Sequence, residues 1–193
     1  MPSHATHLTE LAGKLLIAMP GMADERFAHS VVLICAHGPD STMGFIINKP
    51  SREMGFAGLL GHLGIAPAPQ AREIRVHFGG PVEQGRGFVL HRSDWQIDTP
   101  GVILVPGGYR VSSTLDILEA LAAGEGPDQA LLALGYAGWG AGQLEAEIRR
   151  NDWLVAEVPE ALVFDAEDRQ KWALALKGMG VDPVMLAPSA GRA

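Results

Sequence analysis

Two apolar runs joined by a four-residue loop constrain the fold more than any other feature of this sequence. The first run, 30–37, reads SVVLICAH, and the second, 42–49, reads TMGFIINK, with GPDS between them. β-Branched and aromatic residues favour strands, and Gly, Pro, Asp and Ser favour turns, so the pattern predicts an antiparallel hairpin. Because such a hairpin interrupts a repeating strand–helix–strand order, a purely parallel sheet is not expected.

Other apolar runs predict that this hairpin belongs to a larger sheet. Strands are expected at 14–19, 74–80, 85–91, 101–106, 130–138 and 153–158. The segments IRVHFGG and GRGFVLH, at 74–80 and 85–91, are predicted to pair, because only PVEQ separates them. The run ALLALGYAG at 130–138 is apolar throughout, which predicts a central strand.

Four segments are predicted to form helices that pack around the sheet. These helices are expected at 52–64, from 113 onward, at 142–150 and at 167–177. Ser51 is the predicted cap of the first helix. Ser113 and Asp116 have the spacing of a capping box for the second helix, with Leu115 on its buried face.

Length and composition indicate one domain. The chain has 193 residues, 47% of them hydrophobic, which is enough to build a single core, and it contains no repeat or linker. We therefore predict one compact α+β domain over 13–180, with a mixed or mostly antiparallel sheet and three to four helices packed outside it. The polar residues 1–12 are predicted to be mobile, and 181–193 to be a flexible tail.

The charge balance argues against binding to nucleic acid. The net charge is −7, the isoelectric point is near 5.4, and the longest basic cluster is Arg149–Arg150. Proteins that hold nucleic acid by bulk electrostatics need a basic face.

Cysteine usage and the N-terminal residues favour the cytoplasm. Cys35 is the only cysteine, so the chain cannot form an intramolecular disulfide, which fits a reducing compartment. Its position in an apolar strand favours a small buried hydrophobe over a catalytic thiol. The apolar run LLIAM at 15–19 is too short for a signal peptide or a membrane span.

A glycine-rich segment, GYAGWGAGQLEAEIRRNDW at 135–153, raises the question of a nucleotide site. The dinucleotide-binding motif requires GxGxxG, and the P-loop requires a Gly-Lys-Ser/Thr ending. Neither motif is present in this segment. The carboxylates of Glu145 and Glu147 would also repel a phosphate. We therefore interpret Gly138, Gly140 and Gly142 as a structural strand-to-helix turn, with Trp139 packed across it.

The histidines allow a metal hypothesis. His77 and His91 lie on the two strands predicted to pair, and Glu83 lies in the loop between them, which would form a His/carboxylate set suited to zinc. The sequence contains no HxH, HxxxH or CxxC element, and strand histidines are commonly solvated. We therefore predict no metal and no other cofactor, and retain these three residues as alternative ligands.

Three turns could line a cleft: MPGM at 19–22, INKP at 47–50 and FGGPV at 78–82. Asn48 and Lys49 end a strand beside a proline, and Arg86 could supply a third polar group. The backbone path through Gly79, Gly80 and Pro81 is one that few residues could follow. These six residues form the predicted ligand-binding set, and simple hairpin scaffolding is the alternative interpretation.

These turns also carry a family resemblance. KLLIAMPGM, FAHSVVLICAHGPDSTMGFIINKP, FGGPVEQGRGFVLH and GYAGWGAGQLEAEIRRNDWL, in that order from about residue 13 to 164, resemble the bacterial YqgE/AlgH family. The resemblance implies a bent sheet folded into a pseudo-barrel with helices outside. The family's activity is largely uncharacterised, so no site residues can be transferred, and one branch is called a transcriptional regulator.

The residues and the resemblance together favour a cytoplasmic, non-enzymatic regulatory or interaction protein. Its expected partner is another protein or a small molecule held between the INKP and GGPV turns. The alternative is a small-molecule or metal-assisted enzyme that uses this cleft. A third hypothesis, a transcriptional regulator, is disfavoured because the acidic chain shows no helix-turn-helix signature.

Overall fold

The computed structural model describes residues 10–96 and 99–186, and these residues form nine strands and four helices. The strands are β1 (Leu15–Ala18), β2 (Val31–His37), β3 (Ser41–Ile46), β4 (Val76–Phe78), β5 (Val82–Arg92), β6 (Ile103–Val105), β7 (Tyr109–Ser112), β8 (Ala130–Gly140) and β9 (Trp153–Ala156). The helices are α1 (Phe56–His62), α2 (Leu115–Ala122), α3 (Gln143–Arg149) and α4 (Asp168–Gly178).

The strands form one strongly curled sheet with the shape of a half-barrel. The strand order is β6-β7-β5-β8-β3-β2-β1-β9, and β4 pairs with β8 off this path. The β4–β8 pairing is parallel and the other pairings are antiparallel. The predicted α+β fold with a mixed, bent sheet is therefore confirmed.

The hairpin that constrained the fold is present as β2 and β3. The strands run antiparallel, with Leu33 opposite Phe45, and the register shifts between Ile34 and Ala36. This shift places Cys35 at an irregularity in β2. Bulges of this kind increase the local twist of a strand, which suits a sheet that curls as strongly as this one.

The predicted pairing of 74–80 with 85–91 is wrong. β8 lies between these segments, parallel to β4 on one side and antiparallel to β5 on the other. The opposite edge of β5 pairs with β7, a strand that the sequence patterns did not indicate. The pairing prediction failed because β8, which is distant in sequence, takes up β4 on one edge and β5 on the other. The predicted central position of β8, an apolar strand with both faces covered, is confirmed, and the strand runs on to Gly140.

Helices α1 and α2 do not begin at the capping residues that the sequence predicted. α1 begins at Phe56 after Gly55, and Ser51 instead accepts a hydrogen bond from the Met54 amide in the preceding turn. α2 begins at Leu115 without a side-chain cap. Leu115 is 54% exposed, because the helix turns Ile117 and the residues after it toward the sheet.

The core is divided between the two faces of the curled sheet. Alternate residues of seven of the strands, such as Leu15, Phe45 and Phe88, converge in one cluster, and Ala175 of α4 packs against it. The other face carries two separate clusters, one beneath α3 and one beneath α1 and α2.

The predicted terminal segments are described only in part. Residues 1–9 and 187–193 lie outside the described residues. Leu11 is fully buried, and Pro183–Leu186 forms a 3-10 turn. Within residues 10–96 and 99–186, none of the helices has the length and apolar composition that a membrane crossing requires.

Candidate functional site

A cleft of about 620 Å³ lies where the INKP segment passes β4 and β8. Its lining is formed by Asn48, Lys49, Pro50, Ser51, Arg52, Glu53, Phe78, Gln84 and Leu134. We call this feature the Lys49 cleft. Sequence reasoning predicted a cleft near Asn48 and Lys49, and these two residues do line one.

Backbone hydrogen bonds hold the segment 48–53 against β4. The Phe78 amide donates to the Lys49 carbonyl at 2.8 Å, and the Ser51 amide donates to the Val76 carbonyl at 2.8 Å. Pro50 forms an isolated bridge with His77 between these two bonds. Main-chain contacts therefore fix the backbone of this wall of the cleft.

Asn48 shapes the wall through its amide. Its Nδ2 donates to the His29 carbonyl and its Oδ1 accepts from the Val31 amide, each at 2.8 Å. Both ends of the side chain are thus bonded to the backbone that leads into β2. This arrangement fixes the chain direction just before Lys49.

Lys49 is a half-buried cation in the wall. Its Nζ donates to the Arg26 carbonyl at 2.8 Å, which leaves further N–H groups for a ligand. Burial lowers the pKa of the Lys49 ammonium, and the nearby Asp24 carboxylate acts in the opposite direction. An anion that entered the cleft would also favour the charged form of Lys49.

Apolar side chains and a second cation complete the Lys49 cleft. Phe78 and Leu134 are half-buried and form the apolar part of the lining. Arg52 is exposed at the rim and makes no hydrogen bond within the described residues, and Glu53 lies beside it. Phe78 begins the FGGPV turn that the sequence predicted at the cleft. Leu134, Gln84 and Arg52 were not predicted, because a strand pattern does not show which side chains remain open to a cleft.

Gly79, Gly80 and Pro81 form the passage from β4 to β5. The Gly79 amide donates to the Leu134 carbonyl, and the Gly79 carbonyl accepts from the Ile46 amide, each at 2.9 Å. At Gly80 a Cβ atom would overlap the main chain of Tyr136. The glycines thus allow two backbones to approach closely, and the structure does not place them in the lining of the Lys49 cleft.

Arg86 lies apart from the Lys49 cleft, above the ring of Phe88 on β5. Its guanidinium lies 4.9 Å from the centre of the Phe88 ring and donates to Ser113 Oγ at 3.2 Å. Glu83 Oε2 accepts a long hydrogen bond from Arg86 at 3.5 Å. Arg86, Glu83 and Tyr136 help to line a separate cavity of about 190 Å³, so the predicted polar set is split between two places.

The two histidines proposed as metal ligands lie on different sides of β8. His77 is opposite Ala133 on one edge of β8, whereas His91 is opposite Ala130 on the other. This placement removes the cross-strand contact on which the zinc hypothesis depended. Within the described residues, no three His, Cys, Asp or Glu side chains are grouped to hold a metal ion.

His91 is enclosed and hydrogen-bonded at both ring nitrogens. Its Nδ1–H donates to the Arg92 carbonyl at 2.8 Å, and its Nε2 accepts from the Ser112 hydroxyl at 2.9 Å. Burial lowers the pKa of His91, which keeps the ring neutral near pH 7. Only 1% of the residue is exposed, so it cannot meet a ligand without a conformational change.

His77 belongs to a buried charged cluster beneath α4. Its Nε2–H donates to Asp168 Oδ2 at 3.0 Å, and Lys171 Nζ donates to Asp168 Oδ1 at 2.8 Å. Lys171 also donates to the carbonyls of Ile47 and Val163. Burial would raise the pKa of Asp168, but hydrogen bonds from His77 and Lys171 outweigh it and hold that pKa well below its usual range.

The glycine segment extends the sheet before it turns. Gly138 and Gly140 lie within β8, and only Gly142, with φ of 68°, has the left-handed backbone of the turn into α3. Trp139 is buried, and its indole N–H and that of Trp153 both donate to Glu147 Oε2 at 2.9 Å. The Glu147 carboxylate, which was expected to repel a phosphate, therefore holds two tryptophans together.

Cys35 is 2% exposed, and its Sγ contacts the Leu33 carbonyl at 3.6 Å. Burial raises the pKa of the Cys35 thiol well above its usual range. A thiol that stays protonated is a poor nucleophile. The placement agrees with the prediction of a small buried hydrophobe.

Comparison with known proteins identifies the family. A family model described as AlgH-like matches residues 15–184. The UPF0301 protein of Cereibacter sphaeroides strain ATCC 17029 is 57% identical over 184 residues, covering 95% of this chain and 100% of that protein. The UPF0301 protein of Paracoccus denitrificans is 53% identical over 186 residues, covering 96% of this chain and 98% of that protein.

Two solved structures have the same architecture. The solution structure of the AlgH protein from Pseudomonas aeruginosa has a TM-score of 0.77 and 39% identity, covering 96% of this chain and 97% of that one. A Corynebacterium diphtheriae crystal structure has a TM-score of 0.67 over 96% of this chain and 98% of that one, at 20% identity, and shows the fold alone. Fold and sequence thus define an AlgH-like half-barrel protein. The chain belongs to the AlgH-like family, whose members include the UPF0301 proteins, and the predicted family is confirmed.

Proposed function

We propose that this chain is a non-enzymatic regulatory protein of the cytoplasm that binds a small amphipathic anion in the Lys49 cleft. The observation that carries the proposal is the lining of this cleft. It combines two half-buried apolar side chains, Phe78 and Leu134, with two cations, Lys49 and Arg52. Pockets that bind small molecules commonly pair an apolar surface with a few fixed polar groups.

The placement of the reactive side chains supports binding over catalysis. Cys35 is buried with a raised pKa, His91 is bonded at both ring nitrogens, and His77 is sealed beneath α4 with Asp168. A general base or nucleophile must come within hydrogen-bond reach of its substrate. None of these four groups lines the Lys49 cleft.

The chemistry of the cleft sets the ligand class. Lys49 and Arg52 favour a carboxylate or phosphate, while Glu53 at the rim disfavours a ligand with several negative charges. Phe78 and Leu134 favour an apolar or aromatic body. The chain's net charge of −7 further supports a small anion over nucleic acid as the partner.

Isothermal titration calorimetry with a panel of aromatic carboxylates and organic monophosphates tests this proposal. We expect at least one member to bind, and Arg52→Glu to weaken its binding by about tenfold or more, corresponding to about 1.4 kcal/mol. Lys177→Glu is the matched control, because it makes the same charge change on the exposed surface of α4. Failure of the whole panel, or an equal loss of affinity in both variants, would contradict the proposal.

A further inference from the structure

The outer edge of β9 is the end of the sheet. β9 pairs with β1 on its inner edge and is the last strand in the sheet order. No other strand of the described residues pairs with its outer edge. Unpaired strand edges are templates for pairing with another chain, and proteins usually cover or interrupt them.

The register of β1 with β9 shows which peptide groups point outward. The Met19 amide donates to the Asp152 carbonyl at 2.9 Å, and these two residues lie opposite each other one position beyond the ladder. Antiparallel pairs alternate, so Leu154 and Ala156 direct their N–H and C=O groups to β1. Trp153 and Val155 therefore direct two N–H and two C=O groups toward the outer edge, where Val155 is half-buried and Trp153 is 2% exposed.

These outward groups lie in a groove with apolar walls. The groove has a volume of about 800 Å³ and follows β9 between α3 and α4. Ile148 lines it on the α3 side, and Ala175 and Met179 line it on the α4 side. Strand addition uses this combination, in which main-chain hydrogen bonds give affinity and flanking pockets accept side chains.

The charges at the two ends of β9 are opposite. Arg149 and Arg150 precede the strand, and Glu157 and Glu160 follow it, and all four residues are exposed. Within the chain Arg150 pairs with Asp152 and Glu157 pairs with Lys14, which leaves a net positive charge at the first end and a net negative charge at the second. When two copies of such a strand lie antiparallel, the basic end of each faces the acidic end of the other. A parallel arrangement would place like charges together, which is unfavourable.

We propose that two copies of this chain associate through β9, antiparallel about a twofold axis. Trp153 of each copy pairs with Val155 of the other, which satisfies all the outward main-chain groups of these residues. This register is centred on Leu154 and places Arg150 opposite residue 158, between Glu157 and Glu160 of the second copy. The interface is isologous, as in most soluble homodimers.

Sedimentation equilibrium of the full chain and of Val155→Pro tests this dimer. Proline at 155 removes an outward N–H but none of the hydrogen bonds to β1, so the folded monomer should persist. We expect the wild type to dimerise and Val155→Pro to weaken association at least tenfold. Leu104→Asn, which changes an exposed side chain on β6 at the other end of the sheet, should leave association unchanged.

Charge exchange provides a second test that does not depend on proline. Arg150→Glu and Glu157→Arg should each weaken the dimer, and the double variant should recover most of the lost affinity. Hydrogen exchange at the Trp153 and Val155 amides should slow as the protein concentration rises. A wild type that is monomeric at roughly 500 μM, a concentration that detects even weak association, would overturn the proposal. A dimer that Val155→Pro and the charge variants leave intact would also overturn it.

Discussion

The side-chain amide of Asn48 forms hydrogen bonds with the backbone of His29 and Val31. Lys49 follows directly, and its ammonium donates a hydrogen bond to the Arg26 carbonyl. A single residue thus ties the start of β2 to the end of β3 and sets the direction from which Lys49 enters the cleft. At the residue scale, stability and the shape of the cleft depend on the same side chain.

Replacing Asn48 with alanine should destabilise the fold. The change leaves the Val31 amide without its acceptor, and Val31 is fully buried. A buried donor without a partner costs about 1–3 kcal/mol. We expect a loss of this size in the free energy of unfolding, measured by urea denaturation. An unchanged midpoint in Asn48→Ala would show that the amide is not a structural tie.

His91 should make stability depend on pH. Burial lowers its pKa below the ordinary value of 6.5, so between these two values the unfolded chain binds a proton that the folded chain does not. The free energy of unfolding therefore falls as the pH drops below about 6.5. Urea unfolding at stepwise lower pH should show a smaller fall in His91→Gln than in the wild type.

An exposed histidine serves as the control for this measurement. His62 lies on the outer surface of α1 and is exposed. His62→Gln should retain the pH dependence of the wild type. If His91→Gln also retained it, the buried ring of His91 would not be the source of the effect.

At the scale of elements, the charged cluster of His77, Asp168 and Lys171 fixes α4 against the sheet. Lys171 is fully buried, yet its ammonium reaches the carbonyl of Ile47 beyond β3, the carbonyl of Val163 and the carboxylate of Asp168. These contacts connect the start of α4 to β4 and β3. Because Ile47 directly precedes Asn48, α4 also supports the wall of the Lys49 cleft.

Removing one member of this cluster should be costly. Lys171→Met removes the buried ammonium that binds two carbonyls and the Asp168 carboxylate, although Asp168 keeps its contacts with His77 and Arg75. Breaking a buried pair of this kind costs about 3–5 kcal/mol. The double variant with Asp168→Asn should lose less stability than the sum of the two single variants, because the residues act together. Urea unfolding of the four proteins measures this coupling.

Lys177→Met is the matched control on the same helix. Lys177 is exposed, so this change should alter the free energy of unfolding by no more than about 0.5 kcal/mol. Additive losses in Lys171→Met and Asp168→Asn, or a Lys171→Met variant as stable as this control, would show that the cluster does not anchor α4.

The sequence predicted most of the strands but not all of their partners. The hairpin of β2 and β3 was predictable because its strands are neighbours in the chain. β4 and β5 were wrongly paired, because the strand that separates them, β8, begins at Ala130, far along the sequence. The two ends of β8 also pair with different neighbours, which no local pattern expresses.

The same distinction between local and long-range contacts explains which parts of the candidate site could be predicted. Lys49 and Phe78 come together through a hydrogen bond between strand ends, which turn composition could indicate. Arg86 was misplaced because β5 carries it to the other side of the sheet, near Ser113. The contact of His77 with Asp168 spans 91 positions and depends on where α4 docks, so periodicity could not predict it.

At the scale of the whole molecule, the curled sheet separates the two proposed surfaces. The Lys49 cleft lies beside β4 and β8, whereas the dimer edge is β9, and β3, β2 and β1 lie between β8 and β9. Ligand binding and self-association are therefore expected to be independent. Arg52→Glu should leave the dimer intact, and Val155→Pro should leave the affinity for an anion unchanged.

Native mass spectrometry of the chain purified from its own cells tests ligand binding in the Lys49 cleft most directly. We expect the wild type and Lys177→Glu to carry one small molecule per chain, with a mass that identifies a carboxylate or a phosphate. Arg52→Glu should have lost it, because the substitution reverses the charge at the rim. A wild type that carries no small molecule, or an Arg52→Glu variant that retains it fully, would contradict the proposed function.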